Sequence, residues 1–148
     1  MNKITKIPMM NILNIKDGIK IIPVNTVGIM GKGLALQFKQ KHPDIFETYK
    51  DRCASGKLHI GNITIIKNYV MFPTKQHWSQ DSTKEIITAS LKALKELLFI
   101  IEVKLNKLPD VYIPRIGCGC GRMSQEIVEM LIEDILGDVP NDIYLIGF

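Results

Sequence analysis

Two glycine-rich segments of the chain have the residue types that bind an anion through backbone N–H groups. The first, NTVGIMGKGLALQF from Asn25 to Phe38, directly follows the apolar run Ile19 to Val24. The second, PRIGCGCG from Pro114 to Gly121, also follows an apolar run. A glycine turn between a strand and a helix leaves N–H groups free to contact phosphate oxygens. Two such turns predict a diphosphate held from both sides.

The spacing in the first segment excludes the common nucleotide motifs. A P-loop has four residues between its glycines and a Ser or Thr after its Lys. Here two residues separate Gly28 from Gly31, and Gly33 follows Lys32. The dinucleotide-binding pattern fails as well, because Leu36 occupies the place of its third glycine. One glycine turn alone can serve backbone geometry, but the alternating glycines of the second segment are rarely needed by an ordinary connection.

A polar segment, FPTKQHW from Phe72 to Trp78, interrupts apolar residues and contains Lys75. A neutral lysine amine can attack the anomeric carbon of an opened sugar and form a Schiff base, and a charged one can act as a general acid. Trp78 and His77 have rings that can stack on an unpaired nucleobase. The alternative for Trp78 is an anchor that holds the loop against the core.

Composition indicates one soluble globular domain. The chain has 148 residues, of which 46% are hydrophobic and 23% charged, as in ordinary globular domains. Its net charge of +4 permits an anionic ligand or nucleic acid without requiring either. No apolar run approaches the roughly 20 residues that span a bilayer, and the N-terminus lacks the pattern of a signal peptide. We expect a single domain over residues 1–148 that is cytoplasmic, monomeric and without membrane contact.

The cysteines and histidines do not predict a metal site. An odd number of cysteines (Cys53, Cys118 and Cys120) without a signal peptide indicates reduced thiols. Cys118 and Cys120 are too close in sequence for a C-x-x-C pair, and no histidine stands at a ligand spacing from them. The histidines are His42, His59 and His77. We therefore expect neither a metal nor a cofactor.

Hydrophobic periodicity predicts an alternation of strands and helices. The predicted strands are Ile19–Val24, Ile63–Ile66, Tyr69–Phe72, Val111–Ile113 and Ile143–Ile146, with one or two more within residues 3–13. The predicted helices are Gly33–Lys41, Pro43 to about Ala54, Ser82 to about Asn106 and Ser124–Leu136. This order is typical of an α/β fold with a mixed sheet and helices on both faces. Ligands of such sheets bind beyond the carboxyl ends of the strands, where both glycine turns should lie.

Three separated motifs resemble the macrodomain family: Val24 to Lys39, Phe72 to Trp78, and PRIGCG from Pro114 to Gly119. They are most similar to its DNA ADP-ribosyl glycohydrolase antitoxins and the related terminal ADP-ribose glycohydrolases. The resemblance covers essentially the whole chain, with the motifs in the family's order. It implies a three-layer α/β/α macrodomain with a mixed, mostly parallel central sheet and a surface cleft that binds ADP-ribose.

The resemblance also implies roles for individual residues. Lys75 would be catalytic together with Asn25, and Asn25 would contact the distal ribose. Phe148 would stack on the adenine, although a chain terminus can equally fray. The second glycine turn would donate N–H groups to the diphosphate. The implied ADP-ribose-binding residues are Asn11, Ile12, Asn25, Gly31, Gly33, Leu34, Thr74, Gly117, Cys118, Gly119, Cys120, Gly121 and Phe148.

Two positions depart from the family pattern. The chain has Met10-Asn11-Ile12 where the family usually has Gly-Asp followed by Ile or Leu. The Asn11 oxygen can still accept from the adenine amino group, but without charge assistance, so we expect weaker binding. Gly121 stands where some relatives have an Asp that partners the lysine. Its presence favours the DNA-directed branch over hydrolysis of protein-linked ADP-ribose.

The resemblance, together with Gly121, implies a hydrolase that removes mono-ADP-ribose from a nucleobase, thymine, in single-stranded DNA. A cognate DNA ADP-ribosyltransferase toxin would be its partner on the same substrate. Three alternatives stay open: hydrolysis of ADP-ribose esters on acidic protein side chains, a non-catalytic module that reads ADP-ribose, and a doubly wound domain for another phosphate. A DNA substrate predicts binding that weakens with added salt.

Overall fold

A computed structural model describes residues 3–148 of the chain. Its strands are β1 (Ile4–Ile7), β2 (Ile19–Val24), β3 (Thr64–Ile66), β4 (Tyr69–Pro73), β5 (Val111–Ile113) and β6 (Ile143–Ile146). Its α-helices are α1 (Gly33–Lys41), α2 (Pro43–Ala54), α3 (Lys84–Leu105) and α4 (Gln125–Leu136), and a short 3-10 helix spans Ile12–Asn14. None of these helices is long and apolar enough to cross a membrane.

The six strands form one mixed sheet in the order β1-β6-β5-β2-β4-β3. Every neighbouring pair is parallel except β3 and β4, which form the predicted antiparallel hairpin at one edge. The prediction of a mixed, mostly parallel sheet is confirmed.

The packing of β2 on both of its faces explains why its sequence is apolar almost throughout. Ile19 and Ile21 pack in the core beneath α3 and α4, whereas Ile22 and Val24 pack in the core beneath α1 and α2. Side chains alternate between the two faces of a strand, so a strand covered on both faces needs apolar residues at successive positions. The helices thus form the two outer layers of the predicted α/β/α arrangement.

The predicted element boundaries are close to the observed ones, and side-chain caps explain the differences. Helix α3 begins two residues after the predicted start, because the Thr83 hydroxyl caps it by accepting from Ile86 N at 3.2 Å. Ser124 is likewise the N-cap of α4 rather than its first residue. Within residues 3–13 the structure has one strand, β1, followed by the 3-10 helix that Asn11 caps.

The parallel strands place three loops side by side. Val24 at the end of β2 pairs with Pro73 at the end of β4, and β5 runs parallel on the other side of β2. The loops that follow β2, β4 and β5 therefore leave the same edge of the sheet. These are the three loops that carry the motifs.

Candidate functional site

A cleft made of two adjoining cavities opens at the carboxyl ends of β2, β4 and β5. The lysine cavity, named for Lys75, and the methionine cavity, named for Met9 and Met10, each have a volume of about 420 Å³. Leu34, Pro114 and Arg115 line both, so the two cavities adjoin at these residues. The other residues of the lysine cavity include Asn25, Ile29, Gly31, Lys32, Gly33, Ala35, Thr74, Trp78, Gly117, Gly119, Cys120 and Gly121. Asn11, Ile12, Gln37 and Ile146 complete the methionine cavity.

The turn after β2 is braced by the side chain of Asn25. Its Oδ1 accepts from Val27 N at 3.2 Å and Ile29 N at 3.3 Å, and its Nδ2 donates to Ile29 O at 2.8 Å. Behind it, the buried Tyr49 hydroxyl donates to Asn25 O at 2.8 Å and Oδ1 at 3.0 Å. Burial raises the pKa of Tyr49 well above its usual range, so the hydroxyl remains a donor.

The N-terminus of α1 faces the lysine cavity without a cap. Lys32 is the N-cap residue, and no side chain there accepts from the first turn. In the described part of the chain, the N–H groups of Gly33, Leu34 and Ala35 have no acceptor. Such groups, with the positive end of the helix dipole, attract an anion. By contrast, serine or threonine hydroxyls cap α3 and α4.

The turn after β5 is closed by its own backbone. Cys118 N donates to Arg115 O at 3.2 Å, and Met123 N donates to Gly117 O at 2.7 Å. The N–H groups that find no acceptor within residues 3–148 include those of Gly119, Cys120 and Gly121, and all three residues line the lysine cavity. The cavity therefore has unpaired donors from two directions, as a diphosphate requires.

Two glycines of the second turn are required by the protein itself. An added Cβ at Gly121 would overlap Ser82 Oγ and would lie 2.6 Å from Gly117 O. Gly117 has a φ of +73°, which disfavours other residues. Ser82 N also donates to Gly121 O at 2.9 Å, so the Lys75 loop is tied to this turn.

Two other cleft glycines have no such requirement. Gly31 and Gly119 have φ values outside the left-handed region. A Cβ at Gly31 would make only an ordinary contact at 3.7 Å, and one at Gly119 would meet nothing within 4 Å. Both residues line the lysine cavity. The fold does not require glycine at these two positions. A glycine there lets a ligand approach the backbone closely.

Lys75 lies at the end of β4 and is 9% exposed. Within residues 3–148 its side chain makes no hydrogen bond or ion pair. Lys32 and Arg115 are the other charged residues that line the cavity, and neither Asp nor Glu is among the lining residues. The site therefore attracts anions, and the buried amine of Lys75 has no carboxylate partner among the described residues. No cluster of His, Cys, Asp and Glu in the described residues could hold a metal ion.

A family model described as Macro domain matches residues 21–132, which include the loops after β2, β4 and β5. The chain belongs to the Macro domain family. Its resemblance to macrodomains, based on three sequence motifs, is confirmed.

Relatives among well-described proteins agree with this assignment. The DNA ADP-ribosyl glycohydrolase of Mycobacterium tuberculosis is 35% identical over 126 residues, which are 80% of this chain and 34% of that protein. The DNA ADP-ribosyl transferase-DNA ADP-ribosyl glycohydrolase fusion protein of Thermosipho africanus is 29% identical over 84% of this chain and 37% of that protein. The chain thus spans about a third of the length of these relatives.

Solved structures agree as well. The macrodomain of Mycobacterium tuberculosis DarG superimposes with a TM-score of 0.81 and 31% identity, covering 97% of this chain and 98% of that one. Thermosipho africanus DarTG in complex with ADP-ribose gives a TM-score of 0.72 with 29% identity, covering 87% of this chain and 38% of that one.

The structure of this macrodomain brings most of the predicted site residues to the cleft, and two of them line neither cavity. Cys118 is half-buried against the core beneath α3 and α4, and burial raises the pKa of its thiol. Phe148 is half-buried and packs against the same core. Contacts of these two side chains with ADP-ribose stay predictions.

Several residues of the cleft have no role predicted from the sequence. Arg115 and Lys32 line it, and so do Met9 and Met10. A signal was present for Arg115 and Lys32, because each lies within one of the two glycine-rich segments that follow a strand. Met9 and Met10 gave no such signal, because apolar residues before a short 3-10 helix are equally typical of a core.

Proposed function

We propose that this macrodomain is a DNA ADP-ribosyl glycohydrolase that uses Lys75 to release ADP-ribose from thymine in single-stranded DNA. The observation that carries the proposal is the position of Lys75. It is a buried amine without a carboxylate partner, in the cavity that also contains the unpaired N–H groups of both glycine turns.

The bound nucleotide would extend through both cavities. The adenine would lie in the methionine cavity, where Met9, Met10 and Ile12 offer apolar surface and Asn11 a polar edge. The diphosphate would lie between the uncapped start of α1 and the second glycine turn. The distal ribose would then reach Lys75. The ADP-ribose complex of the Thermosipho africanus relative supports the ligand.

The reaction breaks the bond between the anomeric carbon of the distal ribose and the base, and water finally supplies the hydroxyl of the sugar. Lys75 has two possible roles in it. As a neutral amine it would attack the anomeric carbon and displace the base, which leaves with the proton that the amine loses. The bond from that carbon to the ring oxygen would then break to give an imine, and water would hydrolyse the imine to ADP-ribose and the free amine. As an ammonium it would protonate the departing base.

Asn25 would act by holding the ribose-facing turn in shape. Its four side-chain hydrogen bonds all lie within the protein. Its amide therefore has little hydrogen-bonding capacity left for proton transfer. We propose that Asn25 aligns the distal ribose with the amine of Lys75.

Two observations favour a base over a protein side chain as the carrier of ADP-ribose. The names of the relatives from Mycobacterium tuberculosis and Thermosipho africanus specify DNA. In addition, Gly121 cannot bear a side chain while Ser82 occupies its present position. An acidic partner for Lys75 is thus excluded at that residue. A paired base is inaccessible within the stack, so single-stranded DNA is the simpler substrate.

The proposal is tested by incubating the protein with an ADP-ribosylated oligothymidylate and with a peptide esterified by ADP-ribose on glutamate. We expect release from the oligonucleotide, reduced at least about 100-fold by Lys75→Ala. Lys92→Ala, which removes an exposed amine of α3 that lines neither cavity, is the matched control and should retain turnover. Preferred cleavage of the peptide would support the protein-directed alternative. Tight ADP-ribose binding in calorimetry without any turnover would support a reader module.

The two roles of Lys75 are separated by reductive trapping. If the imine forms, cyanoborohydride added during turnover would reduce it and leave ADP-ribose attached to the protein through a stable C–N bond. Mass spectrometry would locate the adduct at Lys75 and find it absent in Lys75→Ala. Turnover without trapped adduct would favour the general acid.

We further propose a cognate DNA ADP-ribosyltransferase as the partner. The fusion protein of Thermosipho africanus supports the pairing, since its name joins both activities. Expression of such a transferase in a bacterium should arrest growth, and co-expression of this chain should restore it. Restoration by Lys75→Ala would contradict neutralisation through hydrolysis.

A further inference from the structure

Three large apolar side chains are exposed at the edge of the lysine cavity. They are Val27, Ile29 and Trp78, with exposed fractions of 43%, 45% and 52%; we call them the rim. Ile29 and Trp78 line the cavity itself. Large apolar side chains grouped on a surface mark a binding site more often than isolated ones do.

Hydrogen bonds hold the two loops of the rim together. Thr26 N donates to Gln76 O at 3.0 Å, and the Thr26 hydroxyl donates to the same oxygen at 3.2 Å. Val27 directly follows Thr26, Ile29 lies three residues beyond it, and Trp78 lies two residues beyond Gln76. The rim is therefore a fixed arrangement, and Lys75 adjoins one of its two loops.

Trp78 is supported from behind by a closed turn. His77 N donates to Gln80 Oε1 at 2.9 Å, and Gln80 N donates to His77 O at 3.1 Å. Ser79 Oγ lies 2.7 Å from His77 Nδ1, and the His77 ring lies 5.0 Å from that of Trp78, tilted by 34°. An anchor for the loop would be buried, whereas half of the Trp78 surface is exposed. Its indole lies beside the His77 ring and is open to a second ring.

Charge near the rim favours a nucleic acid over an acidic or apolar protein segment. Lys32 and Arg115 are exposed and line the cavity, which has no carboxylate. Asp81, at the end of the Trp78 loop, lies 3.7 Å from Arg122 and is paired with it. A single strand combines phosphates for the cations with bases for the apolar rim, and this is how such strands are generally bound.

We propose that the rim binds the unmodified bases next to the ADP-ribosylated base in single-stranded DNA, with one of them stacked on Trp78. This inference rests on the proposed function and names how its substrate is selected. ADP-ribose in the cleft fixes the modified base at Lys75, and the neighbouring base lies on the indole. An ADP-ribosylated strand then binds more tightly than ADP-ribose alone.

The chain contains one tryptophan, so its indole fluorescence reports on Trp78 alone. The protein is titrated with a short oligothymidylate and with an abasic strand of equal length, each with and without ADP-ribose. We expect the oligothymidylate to quench the fluorescence and the abasic strand to leave it unchanged. For a labelled oligothymidylate, Trp78→Ala should raise the Kd roughly 5- to 150-fold, and Trp78→Phe should restore most of the affinity.

Phe99→Ala is the matched control, because Phe99 is an exposed aromatic residue on α3 away from the cleft. It should leave the Kd unchanged, and circular dichroism should show that every variant is folded. Equal binding and quenching by the abasic strand would overturn the inference, as would stronger quenching by an acidic peptide. The titration needs no turnover. Hydrolysis of ADP-ribosylated DNA without quenching would therefore keep the proposed function and reject the rim as a base-binding surface.

Discussion

The two glycine turns of the cleft keep their shapes by opposite means. The turn after β2 is held by added polar contacts, since Asn25 binds two N–H groups and one carbonyl of its own turn with Tyr49 behind it. The turn after β5 depends on close packing that leaves no room for a side chain, because Gly121 packs directly against Ser82 from another loop. Losing one side chain should therefore damage the first turn, and gaining one should damage the second.

The glycines of the two turns are of two kinds. Gly117 and Gly121 are needed by the fold, through backbone conformation and through packing. Gly31 and Gly119 are needed by neither, although they line the same cavity. Each turn thus contains one glycine that lines the cavity and that the fold does not require. Stability measurements and binding measurements should divide the glycines in this way.

The largest expected effect on stability is that of Asn25→Ala. It removes four side-chain hydrogen bonds from a buried position and leaves backbone groups of the turn without partners. We expect the free energy of unfolding to fall by about 3 kcal/mol, measured by urea denaturation. The control is Asn11→Ala, which removes a single capping bond to Leu13 N and should cost about 1 kcal/mol. Equal losses in the two variants would show that Asn25 does not brace the turn.

The next effect is that of Gly121→Ala in the second turn. The new methyl group would overlap Ser82 Oγ and crowd Gly117 O, so we expect a loss of about 2 kcal/mol in the free energy of unfolding. Adding Ser82→Gly should recover part of the loss. Recovery would be incomplete, because the Gly117 carbonyl stays 2.6 Å from the added Cβ. Full stability in Gly121→Ala alone would contradict the packing argument.

Most of the fold could be predicted because it depends on local pattern. The run Ile19 to Val24 identified a strand buried on both faces, and the two residues Lys67-Asn68 between apolar segments identified the hairpin. The position of the three motif loops at one edge of the sheet follows from the parallel order of β2, β4 and β5. Errors were confined to ends, as at Ser82, where a cap rather than periodicity sets the start of α3.

The details of the site depended on contacts between residues far apart in sequence. Ser82 and Gly121 are neighbours only because the loop before α3 crosses the second turn, and no local pattern reveals this. The alternation of residues 117–121 indicated an anion site but not that the Cys118 side chain packs into the core. By contrast, the bracing by Asn25 is local, and an Asn before a turn is a signal for it.

Tyr49→Phe is a smaller test of the first turn. The Tyr49 hydroxyl donates to Asn25 O and Oδ1, and its loss should cost about 1 kcal/mol of unfolding free energy at neutral pH. Burial raises the pKa of Tyr49, so folding favours the protonated form. This contribution is therefore complete below the unfolded pKa of about 10 and declines as the pH rises above it. A difference between wild type and Tyr49→Phe that grows with pH would contradict the donor role.

The smallest effects on stability are expected for Gly31→Ala and Gly119→Ala, and these variants separate the fold from the ligand most clearly. Neither position has a left-handed φ, and an added Cβ meets an ordinary contact or open space. Restricting the unfolded chain should leave stability unchanged or raise it by up to about 1 kcal/mol. Because both residues line the lysine cavity, the added methyl groups should lower the affinity for ADP-ribose, as measured by calorimetry. Loss of stability with unchanged affinity would reverse the assignment, since these glycines would then serve the fold and not the diphosphate.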